Sequence, residues 1–261
     1  MKIKEVIDAL ERFAPLPLQE GYDNAGLQVG LTETEVSGAL LCLDVTESIV
    51  DEALEKRCNL IVSHHPLLFH AIKTLSDINY VQRTVMKAIE NHVTVVSMHT
   101  NLDNAQGGVN FKMAEKIGLE DVRFFDEKIA DDVTSGNGVI GVLPTEMDSM
   151  AFIDKVKKVF GVECAQCNQL LHRKISKVAL CGGAGSFLLD DAIKTGADAF
   201  ITGEMHYHDF FGHEQEIQIA VLGHYQTEQF TNEILYSILR EAFPLLSLYM
   251  TEKNTNPIKY L

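Results

Sequence analysis

A chain of 261 residues with 46% hydrophobic and 23% charged side chains has the composition of a globular protein, long enough for one large core or two ordinary ones. Lysine and arginine number 22 against 37 aspartates and glutamates; the formal charge of −15 opposes loose nucleic-acid or anionic-membrane binding, and no Lys/Arg run offsets it locally. The longest apolar stretches are of strand length, too short to span a bilayer, and the first residues lead into an amphipathic pattern without a signal-peptide apolar region. A reducing, cytoplasmic setting is therefore expected.

In chain order, residues 6–13 carry a helical pattern closed by Pro15 and Pro17, and 20–30 form a polar, Gly-rich loop leading to a short strand. Residues 39–43 read as a strand, and Thr46 caps a helix running to about 56. Strand 60–63, helix 81–91 and strand 94–97 follow, then a helix over 108–117 that Gly118 ends. Strand 139–143 and helix 150–160 continue the alternation. The expected fold class is α/β with mostly parallel sheets.

The chain also carries an internal similarity. At an offset of 139, Ser37–Cys42 lies over Ser176–Cys181, Asp51-Glu52-Ala53 over Asp190-Asp191-Ala192, and Asn59–Ser63 over Asp198–Thr202, so that His64-His65 falls on Gly203-Glu204. At an offset of 125, Val96–Asp103 lies over Val221–Glu228, setting His99 over His224. A duplication into two similar α/β lobes, 1–125 and 126–261, is the reading, with a site where their strand ends meet.

Strand 60–63 stops on Ser63 and is followed at once by His64, His65 and Pro66. Open α/β folds bind ligands at the carboxyl ends of such strands, and Pro66 stiffens the turn. Adjacent side chains on an extended segment point apart, so the pair suits two metal ions better than chelation of one. His224 and Glu228 are four apart and share a helix face if a helix starts there; His99 and Asp103 repeat the spacing in a more loop-like context. The candidate ligands are His64, His65, Asp103, His224 and Glu228, an imidazole and carboxylate set that suits Zn, Mn or Fe and, as a paired site, hydrolysis. Taken singly each has a bland alternative: His224–Glu228 as a surface pair, His99 as a buried structural histidine, Asp103 as a helix cap. The recurrence at equivalent strand ends favours the metal site.

Glu204 is a candidate general base, and His206 and His208 are candidates to hold substrate, with an exposed turn as the alternative. Gly182-Gly183-Ala184-Gly185 follows a strand, but it lacks the lysine of a P-loop and reads as tight strand–helix packing. Cys42 and Cys181 read as core residues and Cys58 lies near a helix end; Cys164 and Cys167 form a single C-x-x-C with no second pair to complete a zinc site.

Together, 22–30, Ser63–Leu67, His99–Asp103, 181–185, Thr202-Gly203-Glu204 and Gly223–Glu228 resemble the Ngg-interacting-factor-three-like dinuclear-metal family. Its bacterial members often carry the name GTP cyclohydrolase type 2 homologue. The resemblance implies a two-lobed α/β fold, a ring-shaped homohexamer, and two divalent ions held by the same five residues. It also implies that Asp23 and Asn24 lie by the site and that His99 and Glu204 handle protons. Tyr22 stands where members often have Trp, and the chain resembles the short form, without the extra inserted domain of longer members. The leading functional expectation is a metal-dependent hydrolase of a nucleotide or other cyclic-amide, purine-type small molecule. The alternative is a non-catalytic metal-binding or delivery ring that acts through protein partners.

Overall fold

The computed structural model describes residues 1–130 and 133–259. They form two compact units, Met1–Leu102 together with the segment from Thr231 onward, and Asp103–Phe230. The second unit is thus an insertion in the first, a partition that differs from the contiguous lobes 1–125 and 126–261 expected from the repeat. The reason lies after Thr231, where a helix packs on the first helix of the chain and a strand joins the first sheet.

The first unit runs α1 (Ile3–Phe13), β1 (Gly26–Val29), β2 (Ala39–Cys42), α2 (Glu47–Glu55), β3 (Leu60–Ser63), α3 (Tyr80–Glu90) and β4 (Thr94–Ser97). A short α4 (Thr100–Asp103) carries the chain into the second unit. There follow α5 (Val109–Ile117), β5 (Glu120–Phe124), β6 (Lys128–Ala130), β7 (Val133–Ser135), β8 (Val139–Met147) and α6 (Ser149–Phe160). Next come β9 (Gln166–Cys167), β10 (Ile175–Cys181), α7 (Leu189–Lys194), β11 (Ala199–Thr202), β12 (Gln218–Val221) and α8 (His224–Glu228). The chain returns to the first unit as α9 (Thr231–Ala242) and β13 (Leu248–Met250).

Local chemistry sets the boundaries. Thr46 Oγ1 accepts from the Ile49 amide to start α2, and Asn79 Oδ1 accepts from the Gln82 amide to start α3. Gly118 closes α5 in the left-handed region at φ 80°.

The first sheet has the order β1-β4-β3-β2-β13; β4, β3, β2 and β13 are parallel and β1 is antiparallel. The second has the order β5-β8-β10-β11-β12-β9, in which only the neighbouring pairs β10–β11 and β11–β12 are parallel. The expectation of mostly parallel sheets is corrected to mixed ones. Short strands such as β1 and β9 carry no pattern that sets their direction, and antiparallel pairing needs no crossover helix.

Each sheet nevertheless holds a three-strand parallel core, and the ladders pair alike: Cys42–Ser63–Ser97 in one, Cys181–Thr202–Val221 in the other. The first two strands keep the offset of 139. The third sets Ser97 level with Val221, an offset of 124, so the alignment of His99 with His224 is one residue out of register with the ladders. β2, β3, β4, β11 and β12 are buried at every residue. Each fully buried aliphatic side chain there contributes about 1.5–3 kcal/mol, which makes the strand ends a stiff frame. Among the described residues no helix is long and apolar enough to cross a membrane.

Candidate metal centre

In the first unit the second residue beyond each parallel core strand is polar: Asp44 after β2, His65 after β3 and His99 after β4. His64 precedes His65 and is fully buried. One ring nitrogen from each of His64, His65 and His99 lies within 4.8 Å of the others. The rings of His64 and His65 stand side by side, centroids 4.9 Å apart, rather than pointing apart as extended backbone would place them. Both residues follow the last residue of β3, on a bend where strand alternation no longer applies.

Each of the three rings has its Nδ1 engaged by an oxygen. His64 Nδ1 meets the Met98 carbonyl at 2.8 Å, His65 Nδ1 meets Asp44 Oδ1 at 2.7 Å, and His99 Nδ1 meets Asp23 Oδ1 at 2.7 Å. Carbonyls and carboxylates only accept, so Nδ1 carries the hydrogen and the Nε2 lone pair is the ligand atom. The Asp23 side chain has no solvent exposure, and its Oδ2 accepts from the Thr100 amide and hydroxyl. Burial raises the Asp23 carboxyl, but the hydrogen bonds from His99 and Thr100 outweigh it and bring it down to about 2.

Tyr22 and Phe69 stand at this edge. The Phe69 ring lies edge-on to His99 with centroids 6.0 Å apart, and the Tyr22 ring lies 6.4 Å from Phe69. Side chains of the 22–30 segment hold the backbone of Leu68, next to Phe69. Asn24 Nδ2 donates to the Leu68 carbonyl at 2.8 Å, and the Leu68 amide donates to Gln28 Oε1 at 3.0 Å. Asn24, Leu68, Phe69, His70, Ala71 and Ile72 line a cavity of about 330 Å³.

In the second unit His224 opens α8, so His224 and Glu228 do share one helix face: Nε2 lies 3.1 Å from Glu228 Oε2. On its other side, Nδ1 of His224 lies 3.0 Å from Glu204 Oε1. Glu228 is buried, and the Gly-rich run makes room for it. Gly183 has φ +56°, and a β-carbon there would stand 2.2 Å from Glu228 Oε1. The Gly183 carbonyl accepts from the amides of Gly203 and Glu204, both at 2.9 Å, tying the glycine run to the Glu204 turn. The run is tightly packed, with Met113 of α5 and His224 and Glu228 of α8 as close neighbours.

Asp103 is half-buried at the end of α4, and its carbonyl accepts from Asn110 Nδ2 at 3.3 Å. Asn110 Oδ1 in turn accepts from the Gly182 amide at 2.8 Å, so one buried amide links the Asp103 turn to the Glu228 cradle. His206 and His208 lie on an exposed turn; the His206 side chain is 92% exposed, 3.6 Å from Asp209. Beside that turn, Tyr207, Phe210, Phe211 and Cys167 help line a cavity of about 730 Å³. Cys164 and Cys167 are exposed, whereas Cys42, Cys58 and Cys181 are buried.

Sequence reading passed over Asp44 and Asn110, and read Gly183 only as part of a tightly packed run. For Asp44 the signal was present, since it occupies after β2 the place that His65 occupies after β3. The donor chemistry of both units, imidazoles with Nδ1 held by an oxygen and a buried carboxylate in a glycine cradle, fits a divalent transition ion.

A family model described as Duf34/NIF3 (NGG1p interacting factor 3) matches residues 1–257. The chain is 35% identical over 229 residues to a protein of Clostridium perfringens named GTP cyclohydrolase 1 type 2 homolog, covering 87% of each chain. It is 30% identical over 266 residues to a protein of the same name from Clostridium acetobutylicum, covering 100% of this chain and 99% of the relative. The crystal structure of the Staphylococcus aureus hypothetical protein SA1388 superposes with a TM-score of 0.93 at 27% identity, covering 100% of this chain and 99% of that one.

Proposed function

The chain belongs to the Duf34/NIF3 family, and from that membership and the donor sets of its two units we propose a dinuclear metal-dependent hydrolase. His64, His65, Asp103, His224 and Glu228 hold two divalent ions per chain, of the Zn, Mn or Fe class. The observation that carries this reading is the common treatment of the imidazoles: in His64, His65 and His99 an oxygen acceptor engages Nδ1 and leaves Nε2 for a ligand. When bound, such ions lower the pKa of a coordinated water and supply a nucleophile at neutral pH.

The protein's own groups do the rest. The Asp23 carboxylate holds the His99 Nδ1 hydrogen, so Nε2 of His99 is the atom that takes or returns a proton. Glu204 holds Nδ1 of His224 and is the second candidate for proton transfer. Tyr22 and Phe69 offer apolar ring faces beside His99, which supports a flat, purine-type or cyclic-amide substrate of the kind the relatives' name suggests. Asn24, on the wall of the adjoining cavity, would meet such a ring, with His206 and His208 as more peripheral substrate contacts. A homohexameric ring in the cytoplasm completes the proposal; the five free thiols accord with a reducing setting.

The test is elemental analysis of protein purified without chelator or affinity metal, beside His65→Ala and Glu228→Ala. About two ions per chain in the wild type, reduced in both variants, is the expected result. Absence of metal, with none taken up on titration with Zn, Mn or Fe, sinks the reading. Metal-stimulated hydrolysis of GTP and neutral purine analogues is then measured, and turnover that survives Glu228→Ala sinks the mechanism. The mass of the native assembly tests the ring.

A further inference from the structure

We propose that Asp44 and Thr255 are positioning residues of the metal centre, so that the C-terminal segment of the chain is a working part of the site. The inference rests on the reading of His65 as a metal ligand. β13 runs parallel to β2, with Met250 level with Leu41, and the two strands leave the sheet at the same edge. Asp44 and Thr255 are brought together there, and Thr255 Oγ1 donates to Asp44 Oδ2 at 2.5 Å. Asp44 Oδ1 holds His65 Nδ1 at 2.7 Å. The two oxygens of one carboxylate are therefore divided between a histidine and the tail.

This division restrains the rotation of the carboxylate. A carboxylate held at one oxygen turns about its χ2 axis; held at both, it presents Oδ1 to the imidazole in one direction, and the ring plane of His65 follows. The tail is anchored well before it reaches Asp44. The Thr251 amide donates to the Leu41 carbonyl at 2.9 Å, and the buried Glu52 accepts from the Thr251 hydroxyl and, at 2.9 Å, from the Glu252 amide. The buried Glu52 carboxylate is satisfied by these two tail donors, with the Lys56 ammonium 3.8 Å from its Oε1, so the tail is held where it leaves β13. Asp23 is treated likewise: one oxygen goes to His99 and the other to the Thr100 hydroxyl. The same device, histidine to aspartate to threonine hydroxyl, thus serves two of the three clustered histidines. For His65 the threonine comes from the far end of the chain.

The test measures Zn²⁺ affinity by competition with a chromophoric chelator for the full chain and for Asp44→Ala, Thr255→Val, Thr255→Ser and His65→Ala. Asp44→Ala is expected to weaken binding about 10–100-fold. Thr255→Val, which keeps shape and removes the hydroxyl, is expected to weaken it about 3–10-fold, and Thr255→Ser to stay within about twofold of wild type. The metal-free proteins give a second readout, the ¹H–¹⁵N signal of the His65 Nδ1–H: it is expected to persist in Thr255→Ser and to shift or broaden in Thr255→Val. Should Asp44→Ala fail to fold, the valine and serine pair at 255 decides. Wild-type affinity in Thr255→Val, or failure of serine to restore what valine loses, overturns the inference while His65→Ala remains impaired. Wild-type affinity in His65→Ala removes the metal reading of that residue, and this inference with it.

Discussion

A β-carbon on Gly183 would stand 2.2 Å from Oε1 of Glu228, so the bare backbone of one residue and the carboxylate of the other share a single pocket. Gly183→Ala must therefore both strain its backbone at φ +56° and push Glu228 away from His224. The expected cost is about 1–3 kcal/mol in urea unfolding, with a loss of bound metal. Gly161→Ala is the control, because its φ is +66° with open space around the added carbon. It should cost about 1 kcal/mol and leave metal content unchanged.

Asn110→Ala removes the amide that donates to the Asp103 and Asn137 carbonyls and accepts from Gly182. The half-buried Gly182 amide would lose its acceptor, and the expected destabilisation is about 1–3 kcal/mol. Chemical denaturation checks the stability. A parallel fall in metal content would show that this amide also holds the Asp103 turn in place.

The Asp23 carboxyl titrates lower in the folded protein, at about 2, than its ordinary 3.8. A depressed carboxyl stabilises the fold above its unfolded value and loses that contribution as pH falls. In metal-free protein the Asp23 contribution should be complete above about pH 4 and decline towards pH 2; after discounting for solvent screening it is about 1 kcal/mol. Unfolding of wild type and Asp23→Asn over that range should converge at low pH; curves that stay parallel would remove the assignment.

Thiol labelling should divide the cysteines. Burial pushes the Cys58 thiol up to about 11 and raises Cys42 well above its ordinary value, with Asp44 and Glu52 adding to it. Cys164 and Cys167 are exposed, although partial burial, with Cys164 adding to it, raises the Cys167 thiol and makes it the slower of the two. At neutral pH two thiols per chain should react promptly with an aromatic disulfide, and the remaining three only on unfolding. Mass mapping of the fast-labelled sites checks the identity as well as the count.

What the sequence made legible was local. The run Leu60–Ser63 ends as a strand where its pattern says, Thr46 caps α2, Gly118 closes α5, and His224 with Glu228 lie on one face of a helix. The strand-end histidine at 65 and acid at 204 hold equivalent places in their ladders. What escaped was long-range. Nothing within 248–255 says that these residues belong beside Leu41 and Asp44 rather than with the unit they follow. An aspartate after a strand reads as an ordinary turn residue until its histidine is seen. The offset of the third core strand also escaped, because Val95-Val96 lies over Ile219-Ala220 or over Ala220-Val221 equally well by hydrophobicity.

The interruption of the first unit by the second carries a consequence for biosynthesis. Asp103–Phe230 is a continuous stretch and can complete its own core while the ribosome is still working. The earlier unit waits: β2 keeps an open edge until residues 248–250 have been made, and Asp44 lacks its threonine until residue 255 emerges. A nascent chain halted before those codons would already contain every proposed ligand, yet the aspartate behind His65 would lack the hydrogen bond that Thr255 supplies.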